Sequence, residues 1–329
     1  MRLNQNKLER DNSALMRIIV MPTLLVILLV FFSIMAPGSF FTWYNIKNIL
    51  AQSSYVIFAA IGLMFVMIGG GMDLSIGYNM SLTGFIVGML MVRYGWSLWL
   101  AMPCVLLLGI LLGLFNGIIV IKLKVFPLII TLSTAMIFQG ISYSLSKSLT
   151  LLGFSKAFTF IGQGFIGQVP FCVILCAIFA VIAALILGMT RFGRYVYATG
   201  GNEEAAKLSG INTNKIRLTL YAISGFCAAA AGIVLTSRTA ASTSSLGPGT
   251  EFTALSGCIL GGVTLSGGEG RMGGMVVGAL IITMLGNGMQ LMRLGTYSQY
   301  IAKGIVLIAA LGFDVYQRNK KHVRKLATG

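Results

Sequence analysis

Asp73 is the carboxylate whose setting most invites a chemical role. It follows Gly69-Gly70-Gly71 and opens a long apolar stretch. An ionisable group at membrane depth costs roughly 2.5–3.5 kcal/mol on insertion scales, so it is paired, water-facing or functional. Asp73-Leu74-Ser75 ahead of an apolar helix also reads as an N-cap that accepts from free backbone N–H groups. Capping is the first reading; contact with a solute or a proton is the second. Glu251, after Gly247-Pro248-Gly249, opens a later apolar run in the same way, and Glu269 sits in a Gly-rich turn beside Arg271. The uncharged polar groups Ser75, Asn79, Asn116, Thr131, Gln139, Asn287 and Gln290 fall inside apolar runs. Such groups either bond helix to helix or line a hydrophilic path, and with Asp73 they are the candidates for a translocation path.

Enzyme apparatus is not visible. The chain has no G-x-x-x-x-G-K-[ST] phosphate loop, no H-E-x-x-H, no G-x-S-x-G and no inward pair of carboxylates. A non-catalytic chain is expected. All five cysteines lie in apolar runs, without a C-x-x-C, and the single histidine is His322 in a basic tail. Neither a disulfide framework nor a metal site is expected.

The most specific stretch runs from Thr190 to Lys215. Asn202 is a good N-cap, Glu203 and Glu204 suit the positive end of a helix, and Gly210 stops it. Asn202 to Ser209 is therefore predicted to be a short helix, with Ala205, Ala206, Lys207 and Leu208 in its body and Ile211 just beyond. A few residues would suffice to join two spans. The helix either lies on lipid or is a knob for a partner.

The elements that must position these groups follow from composition. Of 329 residues, 57% are hydrophobic and 10% charged, whereas soluble domains carry about 25% charged residues. The mean hydropathy of +0.89 agrees. Unbroken apolar runs predict helical spans rather than the alternation of a β-barrel. Basic residues outnumber acidic ones 24 to 8, but they form short clusters between apolar runs rather than one face, which argues against nucleic-acid binding and for membrane orientation.

Ten spans are expected, near 18–36, 50–70, 75–92, 97–121, 125–146, 169–189, 215–237, 251–265, 272–292 and 297–315. The first is read as retained rather than as a signal peptide, being longer than the usual apolar core. Ten spans put both termini on one side, together with 17 of the 24 basic residues, so that side is expected to be the cytoplasm. The organisation is then a cytoplasmic tail 1–17, one transmembrane domain 18–315 carrying the cytoplasmic segment 190–214, and a basic tail 316–329.

Two internal matches compete. Ser81–Gly88 resembles Ala254–Gly261 at an offset of 173 that also pairs Gly113 with Gly286, and five intervening spans would make the halves inverted. Gly70–Gly77 resembles Gly261–Gly268 at an offset of 191, which would place both on one side.

Three motifs, in order, resemble those of the permease subunits of bacterial ABC importers, in particular the ribose, arabinose, xylose and allose branch: G-G-x-D-L-S-x-G at Gly70–Gly77, T-x-x-G-R-x-x-x-A-x-G-G-N-x-x-A-A-x-x-x-G-I at Thr190–Ile211, and G-G-x-x-L-x-G-G-x-G at Gly261–Gly270. The resemblance spans about residues 40–316. It implies an all-α fold of about ten helices with an inverted repeat, similar to the vitamin B12 type permease, in the bacterial inner membrane. It implies a homodimer that receives a monosaccharide from a periplasmic binding protein. It also implies an ATPase partner that holds ATP and magnesium and docks on Asn202–Ile211, with no cofactor on this chain. The outer loops 147–168 and 238–250, with Lys147, Lys156 and Arg238, would face the binding protein. An ion-coupled carrier of a small polar solute is the alternative; Asp73 would then be its relay.

Overall fold

Small residues decide which helices lie inside. Gly109, Gly113 and Gly117 repeat every fourth residue on one helix and meet Tyr221, Gly225 and Ala229 of another, so closely that a Cβ at Gly113 would collide with the Tyr221 carbonyl. Close backbone approach of this kind drives helix association where lipid removes the hydrophobic incentive. The computed structural model describes Thr23 and residues 25–328. The expected tail 1–17 and the start of the first span lie outside the described residues.

The helices are α1 (Leu25–Met35), α2 (Trp43–Ile68), α3 (Ile76–Gly88, continued by a π-helical turn, Met89–Arg93), α4 (Leu98–Leu123), α5 (Pro127–Ser146), α6 (Lys156–Gln163), α7 (Phe171–Met189), α8 (Arg191–Gly201), α9 (Glu203–Leu208), α10 (Thr213–Thr239), α11 (Thr250–Leu260), α12 (Met272–Leu291) and α13 (Thr296–Thr328). Strands β1 (Phe165–Ile166) and β2 (Val169–Pro170) form a small antiparallel hairpin. Among the described residues, α2, α4, α5, α7, α10 and α12 are long and apolar enough to cross a membrane.

α2 and α10 are buried on nearly every side, whereas α4, α5 and α7 turn Leu, Ile and Met side chains outward. Apolar side chains that have no protein neighbour fit a lipid-facing rim. α2 packs on α10, α11 and α12, and α10 packs on α2, α3 and α4. α3 and α11 are short and almost wholly buried.

Boundaries moved where caps were overlooked. α2 begins at Trp43 rather than near 50 because Thr42 Oγ1 accepts from the Asn45 N–H (3.1 Å). α11 has 11 residues, about 16 Å of helix at 1.5 Å per residue, so it is shorter than the expected 251–265 span and too short to cross. The α13 backbone runs on through residues 316–328 of the expected tail. The expected outer loop 147–168 instead holds α6 and the start of the hairpin.

Candidate functional site

The stretch from Thr190 to Ile211 folds into two helices rather than one. Thr190 Oγ1 accepts from the Gly193 N–H (3.1 Å) and caps α8. A Cβ on Gly193 would collide with the carbonyls of Ile186 and Leu187, so glycine permits the sharp turn out of α7. α9 follows with Asn202 as its cap, Oδ1 accepting from the Ala205 N–H (3.0 Å). It closes on Gly210, at φ +80°, with the Ile211 N–H donating to the Ala206 carbonyl (3.1 Å); this is a Schellman ending.

The faces of α9 differ. Ala206 is buried inward. Glu203 accepts from Arg217 and Thr213 of α10 and pairs with Lys207 (2.8 Å). Partial burial opposes its ionisation, but hydrogen bonding to Lys207 and the charges of Arg217 and Lys207 hold its carboxyl below the usual carboxylate range. Glu204 and Ala205 point outward, and Leu208 is 91% exposed.

α8 is fixed to the bundle by backbone contacts. A Cβ on Gly200 would collide with the Ile68 carbonyl that ends α2. Gly268 N–H donates to that same carbonyl (2.8 Å). A Cβ on Gly267 would stand 2.8 Å from both the Gly200 carbonyl and Gly70 Cα. Tyr197 OH donates to the Gly270 carbonyl (2.7 Å). All three motifs of the sequence therefore meet at one junction. The rival match between Gly70–Gly77 and Gly261–Gly268 consists of two turns that touch each other there.

Asp73, 2% exposed, stands just beyond this junction. Its Oδ1 accepts from the Ser75 N–H (3.1 Å) and Ser75 Oγ (2.6 Å), and its Oδ2 accepts from Ser224 Oγ of α10 (2.7 Å). It closes a turn on Ser75 ahead of α3 rather than forming the expected helix cap, since the N-cap position of α3 is Ser75 and carries no side-chain cap bond, and it ties that turn to α10. Asn116 Nδ2 donates to Ser75 Oγ (2.7 Å), and Thr131 Oγ1 accepts from the Leu74 N–H (3.2 Å). Tyr221 OH donates to the Met72 carbonyl (3.0 Å). Sequence reasoning missed Tyr221 and Ser224. A tyrosine and a serine inside an apolar helix were the available signal.

Asn79 lies further along α3 and donates to the Gly109 carbonyl (3.4 Å). The Oδ1 atoms of Asn79 and Asn116 have no hydrogen-bond partner. The remaining path candidates are elsewhere. Asn287 of α12 forms a reciprocal amide pair with Asn45 of α2, both bonds 3.0 Å. Gln139 is half-buried and bonds Tyr143, and Gln290 is exposed. Glu251 turns back on its own helix start, both oxygens accepting from the Gly249 N–H (3.0 and 2.9 Å). A Cβ at Gly77 would collide with that carboxylate.

A cavity of about 640 Å³ opens at the junction end, bounded by Gly69–Gly71, Lys124, Glu203, Arg217 and Tyr221. At the other end the loops 147–168 and 238–250 are joined. Leu151 and Ser242 exchange both backbone hydrogen bonds (2.9 and 3.0 Å), and Gly162 N–H donates to Ser237 Oγ (2.7 Å). Lys147 and Lys156 are exposed there. Arg238 bonds Asn48 of α2 (2.7 Å).

Residues 45–311 match the family model described as the branched-chain amino acid transport system / permease component. The chain is 41% identical over 302 residues to the ribose import permease protein RbsC of Haemophilus influenzae, covering 90% of this chain and 93% of that one. It is 36% identical over 301 residues to the RbsC of Escherichia coli K12, covering 90% and 92%. It is 32% identical over 360 residues to the xylose transport system permease protein XylH of the same strain, covering 91% and 92%. No solved structure matches.

Proposed function

The chain belongs to the branched-chain amino acid transport system / permease component family, and from that premise we propose that it is the membrane subunit through which an ATP-driven importer passes a monosaccharide into a bacterial cell. The relatives named for ribose and xylose support a pentose-sized cargo. ATP and its magnesium belong to a separate ATPase, and a periplasmic binding protein delivers the sugar.

The observation that carries this reading is the α8–α9 knob. Its outer face offers Glu204, Ala205 and an exposed Leu208, while its inner face is fixed to α2 and α10 through the glycine junction and Glu203. A push on α9 would reach the α2–α3 turn and the α11–α12 loop directly through backbone. The joined loops at the far end suit the binding protein, with Lys147 and Lys156 outward. In this reading both termini and α9 are cytoplasmic, and two copies pair.

Helix packing supports the inverted repeat. Adding 173 to the bounds of α3 and α4 gives 249–261 and 271–296, close to α11 and α12. The contacts follow the same pairing: α3 with α5 and α11 with α13, α10 with α4 and α2 with α12. In the ten-helix plan of the vitamin B12 type, α1, α3 and α13 would serve as further spans and the short α11 as a buried partial crossing.

The test is to extract the chain from membranes beside Glu204→Arg/Leu208→Arg and identify what co-purifies. An ATP-binding subunit held by the wild type and lost from the folded variant is expected. A folded wild-type chain that transports sugar without such a subunit would overturn the reading.

A further inference from the structure

Away from the glycine junction, a second cavity of about 170 Å³ lies between α2, α11, α12 and α13. Gln52 and Tyr55 of α2, Thr253 of α11, and Tyr300 and Lys303 of α13 line it. Tyr55 is thirteen residues before the end of α2, about 20 Å of helix from the junction. No sequence motif marks this place, and none of the expected path residues lines it.

Lys303 is the informative group. It is half-buried on a helix of the bundle, and among the described residues its Nζ makes one hydrogen bond, to Thr253 Oγ1 at 3.5 Å. Among the described residues no carboxylate pairs with it. An ammonium carries three donors, and a lysine on a membrane helix marks a water-filled or solute-bearing cavity. The walls add what a neutral polyol needs: an amide that donates and accepts, hydroxyls, and two aromatic rings against which the C–H face of a sugar can lie. Tyr300 stands at the rim, its ring 3.7 Å from where a Cβ on Gly249 would be.

We propose that this cavity is a transient binding site for the monosaccharide on its way through the chain, with Lys303 and Gln52 hydrogen-bonding its hydroxyls and Tyr55 and Tyr300 flanking its ring. This rests on the reading of the protein as a sugar permease. The site is shallow in affinity, since one cation and a few neutral groups recognise the solute and Tyr300 in its lining is exposed.

Gly286 provides the reporter. A Cβ added there meets only Lys303 Cε, at 3.9 Å, so Gly286→Cys places a thiol in the cavity without a clash. The assembled transporter carrying Gly286→Cys is treated in membrane vesicles with a small methanethiosulfonate reagent, and modification at position 286 is read by mass spectrometry. D-ribose and D-xylose are expected to slow the modification, with inorganic phosphate without effect. Adding Lys303→Met should weaken that protection by about tenfold, the worth of one charge-assisted hydrogen bond. Normal sugar uptake with a thiol that no sugar protects, or that never reacts, would overturn the site and leave the permease reading standing. Protection by phosphate but not by sugar would overturn it as well. Failure of the wild-type complex to take up any sugar would remove the permease reading, and the site with it.

Discussion

The glycine junction and the second cavity are built on opposite principles. At the end that carries α8 and α9, backbones touch through Gly70, Gly200, Gly267 and Gly268, and polar groups such as Asp73 have both oxygens occupied. At the second cavity, the side chains of Lys303, Gln52 and Tyr55 surround open space. Backbone contact leaves no rotamer to absorb a displacement, so the first can transmit motion. Loose side chains can exchange partners, so the second can hold and release a solute.

The sharpest way to break this comparison is Gly200→Ala. Its new methyl would collide with the Ile68 carbonyl, and overpacking of this kind should cost about 3 kcal/mol. Gly201→Ala, with open space beyond it, is the control. Thermal unfolding in detergent should separate the two by many degrees; equal midpoints would mean that the backbones do not meet.

Asp73 comes next. Asp73→Leu strands the Ser75 N–H and the Ser75 and Ser224 hydroxyls, a loss of about 2–3 kcal/mol. Asp73→Asn keeps an acceptor and should lose about 1 kcal/mol. If Asn abolishes transport as completely as Leu while the protein stays folded, Asp73 has a charge-dependent role that capping does not explain.

Glu204→Arg/Leu208→Arg changes only exposed groups. It should leave the unfolding midpoint within about 1 °C, as surface changes do, yet abolish sugar-stimulated ATP hydrolysis when the chain is mixed with its ATPase and binding protein. Retained stimulation would move the docking surface off α9.

Glu203→Gln should be the mildest, about 0.5 kcal/mol, because the pair with Lys207 and Arg217 is partly exposed and screened. The carboxyl is held below its usual range, so its contribution is fully present above the unfolded pKa and is lost as pH falls through the lower, folded value. A wild-type advantage over Gln that persisted at a pH below both values would show that charge is not its source.

Local chemistry was legible where one residue acts on its own neighbours. Asn202 and Gly210 bound α9 as read, because a cap needs only the adjacent backbone. Asp73 was readable as a group that serves its own turn, though the structure puts the N-cap of α3 at Ser75, and its bond to Ser224, 151 residues away, was not readable. Thr190 as a cap and the separate α8 were overlooked, since Gly200-Gly201 near its end disguises a helix whose glycines serve packing. The pairs Asn116-Gly117 and Asn287-Gly288 look alike in sequence, yet one asparagine serves α3 and the other α2.

Composition and basic clustering by themselves determined a polytopic helical membrane protein, since apolar run length and charge bias act along the chain without reference to the fold. The three glycine motifs carried the family resemblance but not their shared purpose. Only tertiary structure brought Ile68, Gly200 and Gly268 to one carbonyl and set Lys303 beside Gln52 and Thr253. Contacts between distant segments depend on which helix faces meet, and small residues that permit a contact do not name the partner they will meet.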